Sequence, residues 1–157
     1  MFIYLIYTIV VDIGYELNSF LPFSEIGNTD NLKNLSFDED DDKNKINKKP
    51  KASYKDLKVN DNILVQVIKE PFSGKGPRVT TDISIPGSLM VLVPNENYIG
   101  ISRKIKDRYE KRRLRKIAEQ LKPEGFGLII RTIAEGLEEE KLKTDFNRVW
   151  KTWKLVE

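Results

Sequence analysis

The most informative chemistry in this 157-residue sequence lies at the end of one apolar run. The segment GLIIRT, from Gly127 to Thr132, closes on an arginine and a threonine. Arginine offers a planar fork of N–H donors and threonine adds a hydroxyl, so the pair suits a phosphate or another small anion. The alternative is an ion pair of Arg131 with a structural carboxylate such as Glu124 or Glu135.

A second group of candidates lies in the basic segment, which we define as Ile101 to Ile117 (ISRKIKDRYEKRRLRKI). It holds nine Lys or Arg residues and two acidic residues. Cations that neutralise phosphates release counterions, so this composition favours a nucleic-acid backbone as partner. The alternative is a solvated helix face whose charges only maintain solubility. Lys104, Arg108 and Arg112 are the candidate RNA contacts within the segment.

Two residues of the first half are further candidates for RNA binding. Phe20, in NSFLP, is predicted at the end of a strand beside a turn, where an exposed ring could stack on a base. Its alternative role is to fill the core. Lys75, in FSGKGP, is flanked by glycines on a loop between strands. Because the backbone there is unobstructed, its ammonium can approach a phosphate, although many loop lysines have no such role.

Composition excludes several kinds of catalysis. The chain has no cysteine and no histidine, which removes disulfides, thiolate nucleophiles, histidine acid–base chemistry and the usual zinc sites. Most acidic residues lie in a polar segment or at the start of the last helix, and neither a two-metal constellation nor a phosphate-cradling loop pattern is present. The sequence therefore predicts no catalytic residue and no metal site in this chain.

The pattern of elements separates two halves. The first half predicts strands from Ile6 to Pro22 around Gly14, and a strand pair in DNILVQVIKE and GPRVTTDISI. The opening MFIYLIYTIVV is far shorter than the roughly 20 residues of a membrane-spanning helix, so it favours a strand and no membrane partner. The polar, Asn-rich stretch at about 28–55 predicts a disordered insert. The second half predicts a strand in SLMVLVPN, a helix over 105–121, the strand GLIIRT and a last helix.

Taken in order, several segments resemble the ribonuclease E/G family. VVDIGYELNSFLPFSEIG and LKVNDNILVQVIKEPFSGKGPRVTTDISIPG resemble its S1 RNA-binding domain, an OB-type barrel. LMVLVPNENYIGISRKI and PEGFGLIIRT resemble its 5′-sensor region. The resemblance implies an α+β fold, in which a partial OB-fold (S1-type) β-barrel over residues 1–86 precedes a small β-α-β-α 5′-sensor-like domain over residues 87–157.

The same resemblance implies roles for individual residues. Arg131, Thr132, the backbone near Gly87 and Val91, and the neighbouring Arg103 would form a pocket for the 5′-phosphate of RNA. Phe20 and Lys75 would contact single-stranded RNA. Val10 stands where the family usually has an aromatic residue, which removes one stacking platform. A strand expected before Met1, and the nuclease region expected after Glu157 with its Mg²⁺-binding aspartates, are not in the sequence.

These observations predict the RNA-binding and 5′-monophosphate-sensing part of an endoribonuclease that acts in RNA processing and decay. The cofactor Mg²⁺ would belong to the complete enzyme and not to this chain. The alternatives are a stand-alone RNA-binding module without nuclease activity and a truncated fragment without function. Expected partners are single-stranded RNA and either the missing nuclease portion or a second copy of the chain. Abundant Asn, Lys and Ile indicate an AT-rich genome, which favours a plastid-encoded protein of the chloroplast stroma, or else a cytoplasmic one.

Overall fold

The computed structural model of the chain describes residues 8–27 and 57–156. These residues divide into two compact units, of which the first comprises 8–27 and 57–83 and the second 84–156. Each unit contains a four-stranded sheet, and the second also contains two α-helices, so the fold is mixed α+β. The division lies between 83 and 84, whereas the predicted boundary followed residue 86. The predictions for the first seven residues and for the insert at 28–55 fall outside the described ranges.

The sheet of the first unit has four short strands. Its strands are β1 (Thr8–Val11), β2 (Ser19–Pro22), β3 (Gln66–Lys69) and β4 (Arg78–Thr80). The order across the sheet is β1-β2-β4-β3, with β2 and β4 parallel and the two outer pairs antiparallel. The predicted turn between β1 and β2 is confirmed: Gly14 has φ 72° and its N–H donates to Asp12 Oδ1 at 2.8 Å.

The core of the first unit is small. Leu21, Ile26 and Val79 form its buried cluster, and partly buried residues such as Phe23 and Leu57 pack around it. β1 and β3 are the two edges of the described sheet, which is open rather than a closed barrel.

The second unit has two strands more than predicted. Its strands are β5 (Ile85–Pro86), β6 (Met90–Pro94), β7 (Ile99–Ile101) and β8 (Phe126–Ile130), in the order β5-β6-β8-β7. The predicted β-α-β-α arrangement was therefore wrong in detail, because β7 was missed and β5 belongs to this sheet. β7 is only three residues long and pairs in parallel with β8 across an intervening helix, which leaves no hairpin signal in the sequence.

One face of this sheet carries the main core. Cross-strand partners point to the same side of a sheet, and the registers Ile85–Leu92–Leu128–Ile99 and Met90–Ile130–Ile101 each join buried residues. Helix α1 (Arg108–Leu121) packs against β7 and β8, whereas helix α2 (Glu139–Val156) packs against β5 and β6. Residues at i, i+3 and i+4 of α1, namely Leu114, Ile117 and Ala118, supply its buried stripe.

A capping residue sets the start of α1, and aromatic contacts hold α2 against the sheet. The helix predicted from Ile105 begins at Arg108 instead, because the side chain of Asp107 caps it by accepting from Tyr109 N at 2.8 Å. The ring of Phe126 on β8 meets Trp150 and Trp153 of α2 edge to face, with centroids 5.2 and 5.7 Å apart. Neither α1 nor α2 is both long and apolar enough to cross a membrane.

Candidate functional site

The ends of two parallel strands bring the first candidate residues together. Ile101 pairs with Ile130, so β7 and β8 finish side by side, and Ser102 N donates to Ile130 O at 3.0 Å. Just beyond this pair, the hydroxyl oxygens of Ser102 and Thr132 lie 2.7 Å apart. Arg131 and Thr132 therefore follow β8 instead of ending it, since Thr132 begins a 3-10 turn that runs to Ala134.

The guanidinium of Arg131 is held by backbone carbonyls. Its Nη1 donates to Gly87 O at 2.8 Å and to Ser88 O at 3.3 Å, and its own backbone N–H donates to Leu89 O at 2.8 Å. Within the described part of the chain, its Nε and Nη2 have no hydrogen-bond partner. The ion pair with Glu124 or Glu135, considered as an alternative, does not form among these residues. Arg131 is thus fixed in place and still presents donors.

The tip loop, which we define as residues 87–89 between β5 and β6, is held from the opposite side by Asp145 of α2. Asp145 Oδ1 accepts from Ser88 N at 3.1 Å and Oδ2 accepts from Leu89 N at 2.7 Å. Arg148 Nη2 donates to Asp145 Oδ1 at 2.6 Å and to Ser88 Oγ at 2.9 Å. Burial raises the pKa of the Asp145 carboxyl, but the two amides and Arg148 outweigh burial, and the net pKa is below its usual value.

Gly87 is required by packing. A Cβ at this position would meet Asp145 Oδ2 at 2.5 Å and Val149 Cγ2 at 2.6 Å, which no real side chain tolerates. The N–H of Gly87 donates to Met90 O at 2.7 Å, and its carbonyl accepts from Arg131. Val91 lies inside the sheet between Pro86 on one side and Ile129 on the other. Gly87 therefore contacts Arg131 directly. Val91 is the second residue of β6 and makes no hydrogen bond with Arg131 among the described residues.

The basic segment presents most of its cations to solvent. Arg103 and Lys104 occupy the turn after β7, with Lys104 N donating to Ser102 Oγ at 3.4 Å. Their side chains and those of four further cations are exposed and form no ion pair with a described carboxylate. The four are Lys106, Arg108, Arg112 and Lys116. Exposed, unpaired cations at the start of α1 and in the turn before it can contact an extended anion.

One arginine of the basic segment has a structural role instead. Arg113 makes two hydrogen bonds of 2.7 Å to the carboxylate of Glu110, and its Nη2 also donates to Leu137 O at 2.9 Å. Gly136 N donates to Glu110 Oε1 at 2.8 Å. The hydrogen bonds from Arg113 lower the pKa of Glu110 to about 2, against the opposing effect of burial and with the help of the Gly136 amide. This pair ties α1 to the loop that precedes α2.

The two candidates of the first unit occupy different environments. Phe20 is the second residue of β2, where it pairs with Val10 and with Arg78, and its side chain is half-buried. It is therefore neither a fully exposed platform at a strand end nor a core residue. Lys75 is exposed in the turn between β3 and β4, where it forms an isolated bridge with Phe72.

Three residues of the site were missed by sequence reasoning. Asp145 and Arg148 are three residues apart on α2 and so could have been recognised as a helical pair, but nothing in the sequence connects Asp145 to Ser88. Ser102 was passed over because β7 was missed. Its position immediately before Arg103 would have indicated a polar strand end once the parallel pairing with β8 was known.

Comparison with known proteins gives the relationships of the chain. A profile of the Ribonuclease E/G family matches residues 84–157. Ribonuclease E of Synechocystis sp. is 45% identical over 95 residues, which is 60% of this chain and 14% of that protein. Ribonuclease E of Nostoc sp. is 44% identical over 95 residues, again 60% of this chain and 14% of the relative. Ribonuclease G of Haemophilus influenzae is 35% identical over 147 residues, which is 93% of this chain and 28% of the relative.

The chain is much shorter than these relatives. It spans 14% of the length of the two ribonuclease E proteins and 28% of that of the ribonuclease G. The match to the ribonuclease G covers residues of both units, whereas the family profile covers the second unit from residue 84. The predicted resemblance to the ribonuclease E/G family is thereby confirmed.

Proposed function

Residues 84–157 of this chain belong to the ribonuclease E/G family, and we propose that the chain binds single-stranded RNA and recognises its 5′-monophosphate. In this proposal the chain is the RNA-binding and end-sensing part of an endoribonuclease that acts in RNA processing and decay. The second unit reads the terminal phosphate, and the first unit together with the basic segment holds the RNA chain.

The observation that carries the proposal is the state of Arg131. Its Nη1 is used by the carbonyls of Gly87 and Ser88, while Nε and Nη2 are without a partner among the described residues. An edge of the guanidinium with two parallel N–H donors matches two oxygens of a phosphate. Because the carbonyls fix the plane of the guanidinium, little further ordering is needed when a phosphate binds.

Thr132, the next residue along the chain, supplies a further donor. The amide of Lys104 donates to Ser102 Oγ at 3.4 Å, and Ser102 Oγ lies 2.7 Å from Thr132 Oγ1. If the proton of Ser102 is directed to Thr132, the hydroxyl proton of Thr132 is available to a ligand. Arg103, in the turn that follows Ser102, adds an exposed positive charge next to this donor. The donors can satisfy the compact dianion of a 5′-monophosphate.

The tip loop supports the pocket without itself contacting the phosphate. The N–H groups of Ser88 and Leu89 donate to Asp145, and that of Gly87 donates to Met90 O. The role of Gly87 in this proposal is therefore to hold Arg131 through its carbonyl and to let α2 approach closely. Val91 keeps the loop in register with β8.

For the RNA chain, we assign the contacts to both units. The first unit is interpreted as an S1-type OB-fold whose sheet presents Phe20, with Lys75 in the turn beside β4. In the second unit, Lys104, Arg108 and Arg112 face solvent without a carboxylate partner in the described ranges and contact the phosphate backbone. Contacts of this kind provide affinity without reading sequence.

The hydrolytic step is assigned to the rest of the enzyme, present in a longer chain or as a partner. The described residues do not fit the magnesium ion that the family resemblance implies, because no group of three or more acidic side chains among them could hold a metal. No step proposed for this chain therefore passes through Mg²⁺. We further propose a plastid or bacterial cytoplasmic location, which the similarity to proteins of Synechocystis and Nostoc supports.

The test is a comparison of two RNA ends. One short single-stranded RNA, carrying either a 5′-monophosphate or a 5′-hydroxyl, is titrated against the wild-type chain at fixed salt. We expect the monophosphate to bind about tenfold more tightly, because only the phosphate accepts charge-assisted hydrogen bonds from the free edge of the Arg131 guanidinium. Arg131→Lys keeps the charge but loses the fork, and should remove most of this preference.

Arg112→Lys is the matched control, since it makes the same chemical change at an exposed arginine of α1. This variant should bind both RNA ends in the wild-type ratio. Equal affinity of the folded wild type for the two ends would contradict the assignment of a phosphate pocket to Arg131.

A further inference from the structure

The turn between β3 and β4 holds an aromatic residue in an unusual setting. Phe72 N donates to Lys75 O at 3.1 Å and Lys75 N donates to Phe72 O at 3.0 Å, so the two residues close a two-residue hairpin. The residues between them, Ser73 and Gly74, have φ 50° and 75°. Positive φ at both central positions defines a type I′ turn, whose twist matches that of the flanking strands. The hairpin is therefore a well-defined element and not an irregular loop.

The geometry of this turn sets the direction of two side chains. Residues that exchange both backbone hydrogen bonds across an antiparallel pair face each other, and their side chains stand on the same side of the ribbon. Phe72 and Lys75 are such a pair. The ring and the ammonium group are thus presented together on one face of the hairpin.

The ring of Phe72 is exposed over 82% of its surface. Burying a phenylalanine side chain stabilises a protein by about 1.5–3 kcal/mol, and a ring this exposed contributes little of that to the described part of the unit. The unit does bury other aromatic surface, since Phe23 packs on its core cluster. An exposed ring on a rigid turn beside a lysine has the composition of a single-strand-binding platform, in which a base stacks and a cation contacts the neighbouring phosphate.

We propose that Phe72 is a base-stacking platform for single-stranded RNA and that Lys75 contacts the phosphate of the stacked nucleotide. The inference rests on the proposed RNA-binding function and adds a residue that the sequence analysis did not select. The contact is independent of base identity, because each base has a π-face on which the ring can stack.

Three substitutions at Phe72 test the contact. With a 5′-hydroxyl single-stranded RNA of mixed sequence, Phe72→Ala should weaken binding by about 5- to 100-fold, the range expected for the loss of one stacked base. Phe72→Trp should restore the affinity, whereas Phe72→Leu, which is apolar without a π-face, should remain weak. A 5′-hydroxyl end keeps the terminal-phosphate pocket out of the measurement.

Salt separates the ring from the lysine. Stacking involves no counterion, so Phe72→Ala should lower affinity by the same factor at low and moderate salt. Lys75→Gln should instead make the fall of log affinity with log salt shallower. The expected change in the slope is about 0.7, the value for one lost phosphate contact on a single strand. Leu155→Ala is the matched control, because Leu155 on α2 has the same exposed fraction of 82%, and this variant should bind as the wild type does.

Either of two RNA-binding results would overturn the inference while leaving the proposed function intact. One is wild-type affinity in the Phe72→Ala variant, and the other is an equal loss in the Leu155→Ala control. A change in sedimentation without a change in RNA affinity would also overturn it, because Phe72 would then serve contact between protein chains. If the folded wild type binds no single-stranded RNA at all, the proposed function itself fails and this inference fails with it.

Discussion

The two units of the chain differ in how much of their apolar surface is buried. In the first unit a small cluster of Leu21, Ile26 and Val79 is covered, and large side chains such as Phe72 remain exposed. In the second unit two helices cover a continuous sheet face. Only a well-packed scaffold can hold an arginine against a set of carbonyls, as the second unit holds Arg131.

Under the proposed function, this difference corresponds to two ways of binding RNA. A terminal phosphate is small and has fixed geometry, so its recognition requires donors that are already in position. Bases and internal phosphates of a flexible strand are recognised by exposed rings and cations that need no common pocket. The packed unit suits the first task and the open sheet suits the second. The following predictions test this comparison, beginning with the largest effect.

The largest difference between the two units should appear in their stability when one core leucine of each is substituted. Leu128 lies fully buried in the centre of the second sheet, so Leu128→Ala should destabilise this unit by about 3–5 kcal/mol. The two tryptophans of the chain both lie on α2, and their fluorescence during urea unfolding therefore reports the second unit. Leu21→Ala, an equally buried change in the first unit, should leave the midpoint of that transition unchanged. A matching shift in both variants would mean that the units unfold together.

The next effect concerns the support of the tip loop. Asp145→Asn should destabilise the second unit by about 1–3 kcal/mol, because an amide offers one acceptor where two backbone N–H groups require two. The same variant should weaken the preference for a 5′-monophosphate, since the carbonyls that hold Arg131 belong to this loop. Asp107→Asn is the control, because asparagine caps a helix as well as aspartate does. Equal stability of the two variants would contradict the role given to Asp145.

Acid should act on the second unit in a defined range of pH. The folded-state pKa of Glu110 is lowered from 4.5 to about 2, and that of Asp145 is also lowered. A lowered pKa contributes stability that is complete above the unfolded-state value and is lost as pH falls towards the folded-state value. We therefore expect the urea midpoint to be constant above about pH 4.5 and to fall between about pH 4.5 and 2.

Glu110→Gln should reduce this acid dependence as well as the stability at neutral pH. Glu119→Gln, at an exposed carboxylate of the same helix, should leave the acid dependence as in the wild type. An unchanged acid profile in the Glu110→Gln variant would show that the pair with Arg113 does not couple protonation to folding.

The smallest effect per residue is expected for the exposed cations of the basic segment, which we therefore remove in pairs. Affinity for single-stranded RNA should fall as salt rises, and the Arg108→Gln, Arg112→Gln double variant should lower the slope of log affinity against log salt by about 1.4. The Lys141→Gln, Lys151→Gln double variant changes net charge equally on exposed positions of α2, and should keep the wild-type slope. Equal slopes in the two double variants would show that the basic segment has no specific contact with RNA.

The elements of the fold that could be predicted are those with local signals in the sequence. The turn at Gly14, the strand SLMVLVPN and the stripe of Leu114, Ile117 and Ala118 follow from glycine placement and periodicity, and all were found. The strand β7 was not, because the three residues Ile99–Ile101 are too short to show a period and pair with a strand beyond a helix.

The site was predicted in part for the same reason. Arg131 and Thr132 were visible because they end an apolar run. The carbonyls that hold Arg131 lie 44 and 43 residues before it along the chain. The carboxylate of Asp145 lies 57 and 56 residues after the two loop amides that it holds. Only the folded structure brings these groups together. The exposure of Phe72 was equally hidden, since a sequence does not distinguish a phenylalanine of the core from one at the tip of a hairpin.

The division of labour between the two units is tested most directly by one titration of three proteins against two RNA ends. The wild type, Arg131→Lys and Phe72→Ala are each measured with the 5′-monophosphate and the 5′-hydroxyl form of one RNA at fixed salt. We predict that Arg131→Lys loses most of the preference for the monophosphate and keeps its affinity for the hydroxyl form. Phe72→Ala should lose affinity for both forms by the same factor and keep the preference. Loss of the preference in Phe72→Ala, or an equal loss for both ends in Arg131→Lys, would contradict this account.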